Sequence, residues 1–279
     1  MFRQFSVVIL TLFLFQITLA QDLSVLTYNI KYDNPSDSLN NWDNRKEFLI
    51  SQLNFFKPDV FGTQEALFNQ LENIETGLDN YAYIGLGRDF GDKRGEFSAI
   101  FYNTNEVELR KENTFWLSET PDKPSKGWDA ALNRICTYGL FRSRDEGKDF
   151  YVFNTHFDHM GDKARLESSK LILKKIEEIN TNNLPVVLMG DFNLEEDKEG
   201  IQIIKSVLTD THEASGSNAF GPSGTFNGFE FDKPVTRKID YIFTTPDDFD
   251  ILKSGILSDS KDCRYPSDHF PVYVEINFK

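Results

Sequence analysis

Residues 184–193 read LPVVLMGDFN. A run as short and as apolar as Val186-Val187-Leu188-Met189 suits a strand covered on both faces, and that limits the fold more than any other stretch of the chain. A sheet with no wet face needs a packed layer on each side. The run then ends in Asp191 and Asn193. At a period of two these side chains share one face, while Phe192 points to the other. The pair either caps a loop or holds something.

The rest of the chain supplies the layers. Leu23 to Tyr32 alternates like a strand, and Trp42 to Phe56 carries Phe48, Leu49, Leu53 and Phe56 at helical spacing before Pro58. Asp59 to Gln64 reads as a short apolar strand and Ala66 to Leu78 as an amphipathic helix. Strands with short turns follow at Tyr81–Leu86, Phe97–Asn103, Val107–Leu117, Arg134–Arg142 and Phe150–Thr155, which predicts an antiparallel region. A polar helix over Asp162–Asn180 leads into the covered strand at Pro185–Met189. The chain closes with a helix near Gly200–Leu208 and strands at Lys238–Thr244, Ile251–Leu257 and Phe270–Phe278. Mixed strands flanked by helices predict an α/β four-layer sandwich, two packed mixed sheets with helices outside. The loops over Pro121–Ala131 and Ser215–Pro234 are long, as functional loops often are.

The first residues, MFRQFSVVILTLFLFQITLA, place Arg3 before an apolar run and small residues around Ala20. That is the pattern of a secretory signal peptide cut before Gln21, so residues 1–20 are read as a leader and 21–279 as one domain, exported to the periplasm or beyond the cell. The apolar run is too short to span a bilayer comfortably, no cysteine follows Ala20 to carry a lipid, and no later segment is apolar enough to cross a membrane. With 26 Phe and 10 Tyr the chain can build a large core. Cys136 and Cys263 sit beside apolar or aromatic residues and read as two buried thiols rather than a disulfide. The formal charge is −14, one unit more negative once Arg3 is removed, which counts against tight, sequence-blind binding of nucleic acid. Phosphate chemistry stays open where bound cations cancel the local field.

Polar groups gather where strands end. TYNI carries Asn29, TQEA carries Glu65, and NTHFDH carries Asn154, His156, Asp158 and His159. GDFN carries Asp191 and Asn193, KIDYIF buries Asp240 among apolar neighbours, and SDHF places Asp268 and His269 before the last strand. Taken singly, Asn and Asp at strand ends are turn formers, and a lone His is more often structural. Together they fit a ligand site where loops converge at one end of a sheet. Oxygen donors without thiols are hard ligands suited to Mg²⁺ or Mn²⁺, with Ca²⁺ also acceptable. A buried Asp240 needs a partner, and an imidazole nitrogen is a natural one.

The set TYNI, TQEA, NTHFDH, GDFN, RKIDYIF and SDHFPV, in that order, resembles the endonuclease/exonuclease/phosphatase superfamily over essentially the whole chain after the leader. The resemblance implies a divalent-metal-dependent phosphoesterase in which water attacks in line. It implies Glu65 as principal metal ligand with Asn29 beside it and Asp268 as a further ligand. Asp191 would orient and deprotonate the water, and Asn193 would hold water or phosphate. His269, oriented by Asp240, and His156 would bind phosphate oxygens. Asn154 joins the substrate side. Arg134 is either a phosphate ligand or a solvated edge residue. Arg88 and Glu96, in the stretch GRDFGDKRGEFSAIFYN, are either substrate-side residues or parts of a plain hairpin loop. Asp158 and His159 read as loop-shaping, His212 as structural, and Trp116, Trp128 and Phe226 as packing aromatics unless they stack on a base or sugar.

A phosphate ester is the implied partner, from nucleic acid, a small phosphoester or a lipid headgroup, and no stable protein partner is implied. Nuclease activity, including a 3′–5′ exonuclease form, is the commonest outcome of the resemblance, while the negative charge favours small phosphoesters. The competing readings are a non-catalytic glycan- or surface-binding module on the same scaffold and, last, a carboxylate-pair glycosidase.

Overall fold

The computed structural model describes residues 22–279, so the leader reading lies outside the described residues. In chain order the strands are β1 Leu23–Asn29, β2 Val60–Ala66, β3 Tyr81–Ile84, β4 Phe97–Asn103, β5 Val107–Trp116, β6 Ile135–Ser143 and β7 Asp149–His156. They continue as β8 Val186–Asp191, β9 Thr209–Asp210, β10 Ala219–Phe220, β11 Asp240–Thr244, β12 Phe249–Ile256 and β13 Val272–Phe278. The helices are α1 Trp42–Phe56, α2 Phe68–Gly77, α3 Asp162–Ile179, α4 Glu199–Lys205 and the short α5 Thr211–Ala214.

Two mixed sheets form, one in the order β10-β12-β13-β1-β2-β4-β3 and the other β5-β6-β7-β8-β11-β9. Alternation along each strand then explains the apolar runs. Val25 and Val60 of the first sheet meet Val152, Val187 and Met189 of the second in a core between the sheets. The neighbouring residues point outward: Leu26 and Phe61 pack with Leu49 and Leu53 of α1 and Leu71 and Ile74 of α2. Phe153 and Leu188 pack with Ile172 of α3 and Ile201 and Ile204 of α4. Three apolar seams between four layers are the predicted sandwich.

The stretch from Tyr81 to Thr155 is not one antiparallel region. The chain leaves the first sheet after β4 and enters the second at β5, and antiparallel pairing resumes there. The strands themselves do not announce that change of partner. The strands β9 and β10 and the helix α5 lay outside the sequence expectation, being too short for a periodic signal. Cys136 is buried and Cys263 exposed, each a free thiol, so the expectation of two buried thiols fails for Cys263, which lies in a left-handed turn at φ 57°. Among the described residues no helix is long and apolar enough to cross a membrane.

Candidate active site

At one end of the sandwich the inner faces of both sheets turn from apolar to polar. Along β8 the inward sequence runs Val187, Met189, Asp191; along β7 it runs Val152, Asn154, His156; along β1 it runs Val25, Thr27, Asn29. Register then assembles these ends. Asp191 is the strand partner of His156 on one side and of Asp240 on the other, and Asn29 pairs with Gln64. Gly190 allows the close approach of β7 and β8, because a Cβ there would lie 2.1 Å from the Thr155 carbonyl oxygen.

The resulting cavity of about 480 Å³ is lined by Glu65, Asp268, Asp191, Asn193, His156 and His269, with Arg88, Glu96 and Arg134 on its wall. Asn29 lies buried beneath, its amide donating to Asp191 Oδ2 at 2.9 Å and to Glu65 Oε1 at 3.3 Å. Asp240, also buried, accepts from His269 Nδ1 at 2.9 Å. His156 Nε2 and His269 Nε2 stand 3.5 and 3.9 Å from Asp191 Oδ2. Residues far apart in the chain thus converge as one constellation.

Several arrive by routes that alternation does not predict. Glu65 has φ 61° at a register shift between Thr63 and Ala66, so a bulge turns its carboxylate into the cavity, where the Tyr32 amide donates to it at 3.2 Å. The expected shared face of Asp191 and Asn193 is not an extended one, because the strand ends at Asp191 and Asn193 is left-handed at φ 49°. Its amide donates to Asp191 Oδ1 at 2.8 Å, closing a tight Asx turn. Phe192 does point away, into the packing against α3 and α4.

Asn154 corrects the sequence reading. It is fully buried one strand step below His156 and bridges the sheets, donating to the Thr63 and Ala99 carbonyls at 3.0 and 2.8 Å and accepting from Gln64 at 2.7 Å. Gly62 leaves the space it occupies. It is a fastener between layers, out of reach of the cavity. Trp116 likewise packs, donating to the Arg88 carbonyl at 2.7 Å. Asp158 shapes the loop as expected, accepting from the amides of Ala131, Met160 and Gly161 and from Arg134.

Arg134 and Arg88 are both buried at the wall. Arg88 makes a two-pronged pair with Glu96 at 2.6 and 2.8 Å, and Arg134 reaches His159 Nδ1 at 2.9 Å. Phe226 lines the cavity with its ring edge-on to His269, and Thr225 Oγ1 accepts the Asp240 amide behind it. The sequence reading passed over Lys31, Thr225 and Arg237; for Lys31 the only sign was a cation directly after the TYNI motif.

The electrostatics divide the roles. Burial lowers the His269 value, but the carboxylates of Asp240, Asp191 and Asp268 outweigh it and raise the imidazolium to about 10. Burial, joined by the cations Arg134 and Arg88, holds His156 well below the usual imidazole value, so it is neutral. Burial and then the nearby Asp240 charge lift Asp191 to about 7. Burial opposes ionisation of Glu65, yet the charges of Lys31 and His269 win and keep it below the usual carboxylate value. Burial raises Glu96 to about 7 despite Arg88.

Asp191, Asp240 and His269 bring potential ligand atoms within 4.8 Å of one another. The Asp240–His269 hydrogen bond engages two of those three groups, so Glu65 and Asp268 offer the better place for a cation. There a cation is already present: Lys31 Nζ lies 3.5 Å from Glu65 Oε2 and 3.8 Å from Asp268 Oδ2. Two carboxylates sharing one counter-charge, all oxygen donors, fit a hard divalent ion.

Known proteins carry the same framework. A solved endonuclease/exonuclease/phosphatase family protein from Bacteroides thetaiotaomicron is 41% identical, with 92% of this chain and 95% of that chain covered and a TM-score of 0.88. A mannosyl-6-phosphatase from the same organism is 41% identical, covering 92% of this chain and 100% of that one, with a TM-score of 0.87. An uncharacterised protein of Acanthamoeba polyphaga mimivirus is 32% identical over 168 residues, 57% of this chain and 62% of that protein. This chain therefore spans about three fifths of that curated relative's length. Of these relatives, the mannosyl-6-phosphatase is named for the hydrolysis of a phosphoric ester. The Endonuclease/Exonuclease/phosphatase family model matches residues 26–269, from the first strand to the histidine before the last, and the chain belongs to that family.

Proposed function

We propose that this protein is a divalent-metal-dependent phosphomonoesterase acting on phosphorylated sugars by in-line attack of water. The carrying observation is one cavity in which the Glu65 and Asp268 carboxylates, the Asp191 base and the Asp240-backed His269 face the buried Arg88 and Arg134. Glu65 and Asp268, with Asn29 holding Glu65 in place, would bind Mg²⁺ or Mn²⁺. When bound, that ion supplies Lewis-acid stabilisation of charge on the phosphoryl oxygens.

The chain's own residues do the rest. Asp191, near 7, is matched to take a proton from water at neutral pH, and the Asn29 amide fixes one of its oxygens. The Asn193 backbone amide fixes the other oxygen, and its side chain, which lines the cavity, would help to position the water. His269, kept charged by Asp240, donates from Nε2 to a phosphoryl oxygen, and neutral His156 donates or accepts beside it. The Arg88–Glu96 pair offers donors and acceptors side by side, the combination that sugar hydroxyls require. The 41% identical mannosyl-6-phosphatase and the acidic charge of −14 both support a small sugar phosphate over a polyanion.

Phosphate release from mannose 6-phosphate, a mannosyl 6-phosphate oligosaccharide and a short oligonucleotide, each with Mg²⁺, Mn²⁺ or chelator, tests the reading. The sugar phosphates should be hydrolysed, chelator should stop the reaction, and Asp191→Asn should lose about a thousandfold in kcat or more. Hydrolysis of the oligonucleotide alone would overturn the substrate assignment.

A further inference from the structure

We propose that the Lys31 ammonium is a tethered competitor for the divalent cation, bridging Glu65 and Asp268 in the metal-free enzyme and withdrawing when the ion arrives. The inference rests on the reading of those carboxylates as the cation centre. It adds a residue that sets how tightly the centre binds.

The geometry is that of a charge balanced but not locked. At 3.5 and 3.8 Å the ammonium is close enough to neutralise both carboxylates, yet longer than a good N–H···O hydrogen bond. A lysine carries its charge on a flexible stem and can move it by rotamer changes alone. In the same pose the ammonium lies over the Tyr32 ring, its centroid 4.7 Å from Nζ, so the ring adds to the field that holds the charge beside the carboxylates. Without the ammonium, Glu65 and Asp268 would lose the only lysine charge among the described residues that lies within 4 Å of both.

The backbone shows that this placement is enforced. Lys31 is left-handed at φ 57°, a conformation costly for a lysine. Its carbonyl accepts from Arg45 and from Gln70, both at 2.9 Å and both buried, and its amide donates to Asn29 Oδ1 at 3.1 Å. Asn29 also holds Glu65 and Asp191, so one side chain ties the lysine's backbone to the groups its ammonium faces. Three clamps on one strained residue point the side chain at the carboxylates rather than leaving it in solvent.

An ammonium within 4 Å of both carboxylates must give way before a +2 ion can take them, so its removal must strengthen binding. Calorimetric titration of the full chain with Mn²⁺ should give Lys31→Met an affinity about tenfold or more above wild type, while Lys31→Arg stays near wild type. In chelator, Lys31→Met should melt lower than wild type, and Mn²⁺ should raise its melting temperature further. Lys31→Asn, which suits left-handed backbone, repeats the titration should Lys31→Met not fold. Equal or weaker Mn²⁺ binding by a folded, uncharged variant overturns the competitor role. Wild-type protein with no saturable Mn²⁺ binding overturns the cation-centre reading and this inference with it.

Discussion

Asp240 does not line the cavity; it acts there through its hydrogen bond to His269 and its charge on Asp191. It is fully buried, accepts from Nδ1 at 2.9 Å, and contributes the first of the charges that raise the imidazolium to about 10. Asp240→Asn keeps the shape and removes the charge. The His269 value must then fall, so the proton needed at Nε2 is lost at lower pH. The alkaline limb of the kcat profile should move toward neutrality, and kcat at its optimum should drop about 10- to 100-fold, as it does when a partner orienting an imidazole is removed. A loss of activity with an unmoved alkaline limb would show that Asp240 only packs. This pair was legible in the sequence, because a carboxylate inside KIDYIF has to find a partner. Asn154 was not: it shares the inward face with His156 and differs only in depth, which a motif does not encode.

Elements explain the remaining gaps. Strand and helix positions followed from periodicity, and the site's position followed from strands that end in polar residues. Register did not follow, and register is what sets Asp191 between His156 and Asp240. The bulge at Glu65 and the left-handed turn at Asn193 also depend on partners that one strand does not reveal. Gly190 is where the sequence carried the information in compressed form. It sits at φ 147°, and a Cβ would come within 2.1 Å of the backbone oxygen of Thr155, an atom no rotamer change can move. Gly190→Ala should therefore push β7 from β8 and cost several kcal/mol of stability, on the order of the larger single-substitution effects. Urea unfolding measures it, and a midpoint equal to wild type would mean the two strands are not held at this spacing by the glycine.

At the scale of the whole molecule two fields oppose each other. The chain carries −14 overall, while the cavity wall presents Arg88, Arg134, Arg237 and Lys31. The local cations act across a few ångströms on a phosphate already inside; the net charge acts on whatever approaches. For a polyanion the approach is repelled, and salt shortens that repulsion as the screening length falls from about 30 Å at 0.01 M to about 8 Å at 0.15 M. Raising salt across that range should increase kcat/KM on an oligonucleotide, the reverse of a protein that binds nucleic acid through released counterions. For mannose 6-phosphate, which brings only its own small charge to the same field, the rise should be weaker, and attraction to the cavity cations should offset part of it. Steady-state rates on both substrates at matched Mg²⁺ distinguish the cases. A steep fall of the oligonucleotide rate with salt would mean that a basic surface captures the strand, and that the net charge says nothing about which phosphate ester this enzyme meets.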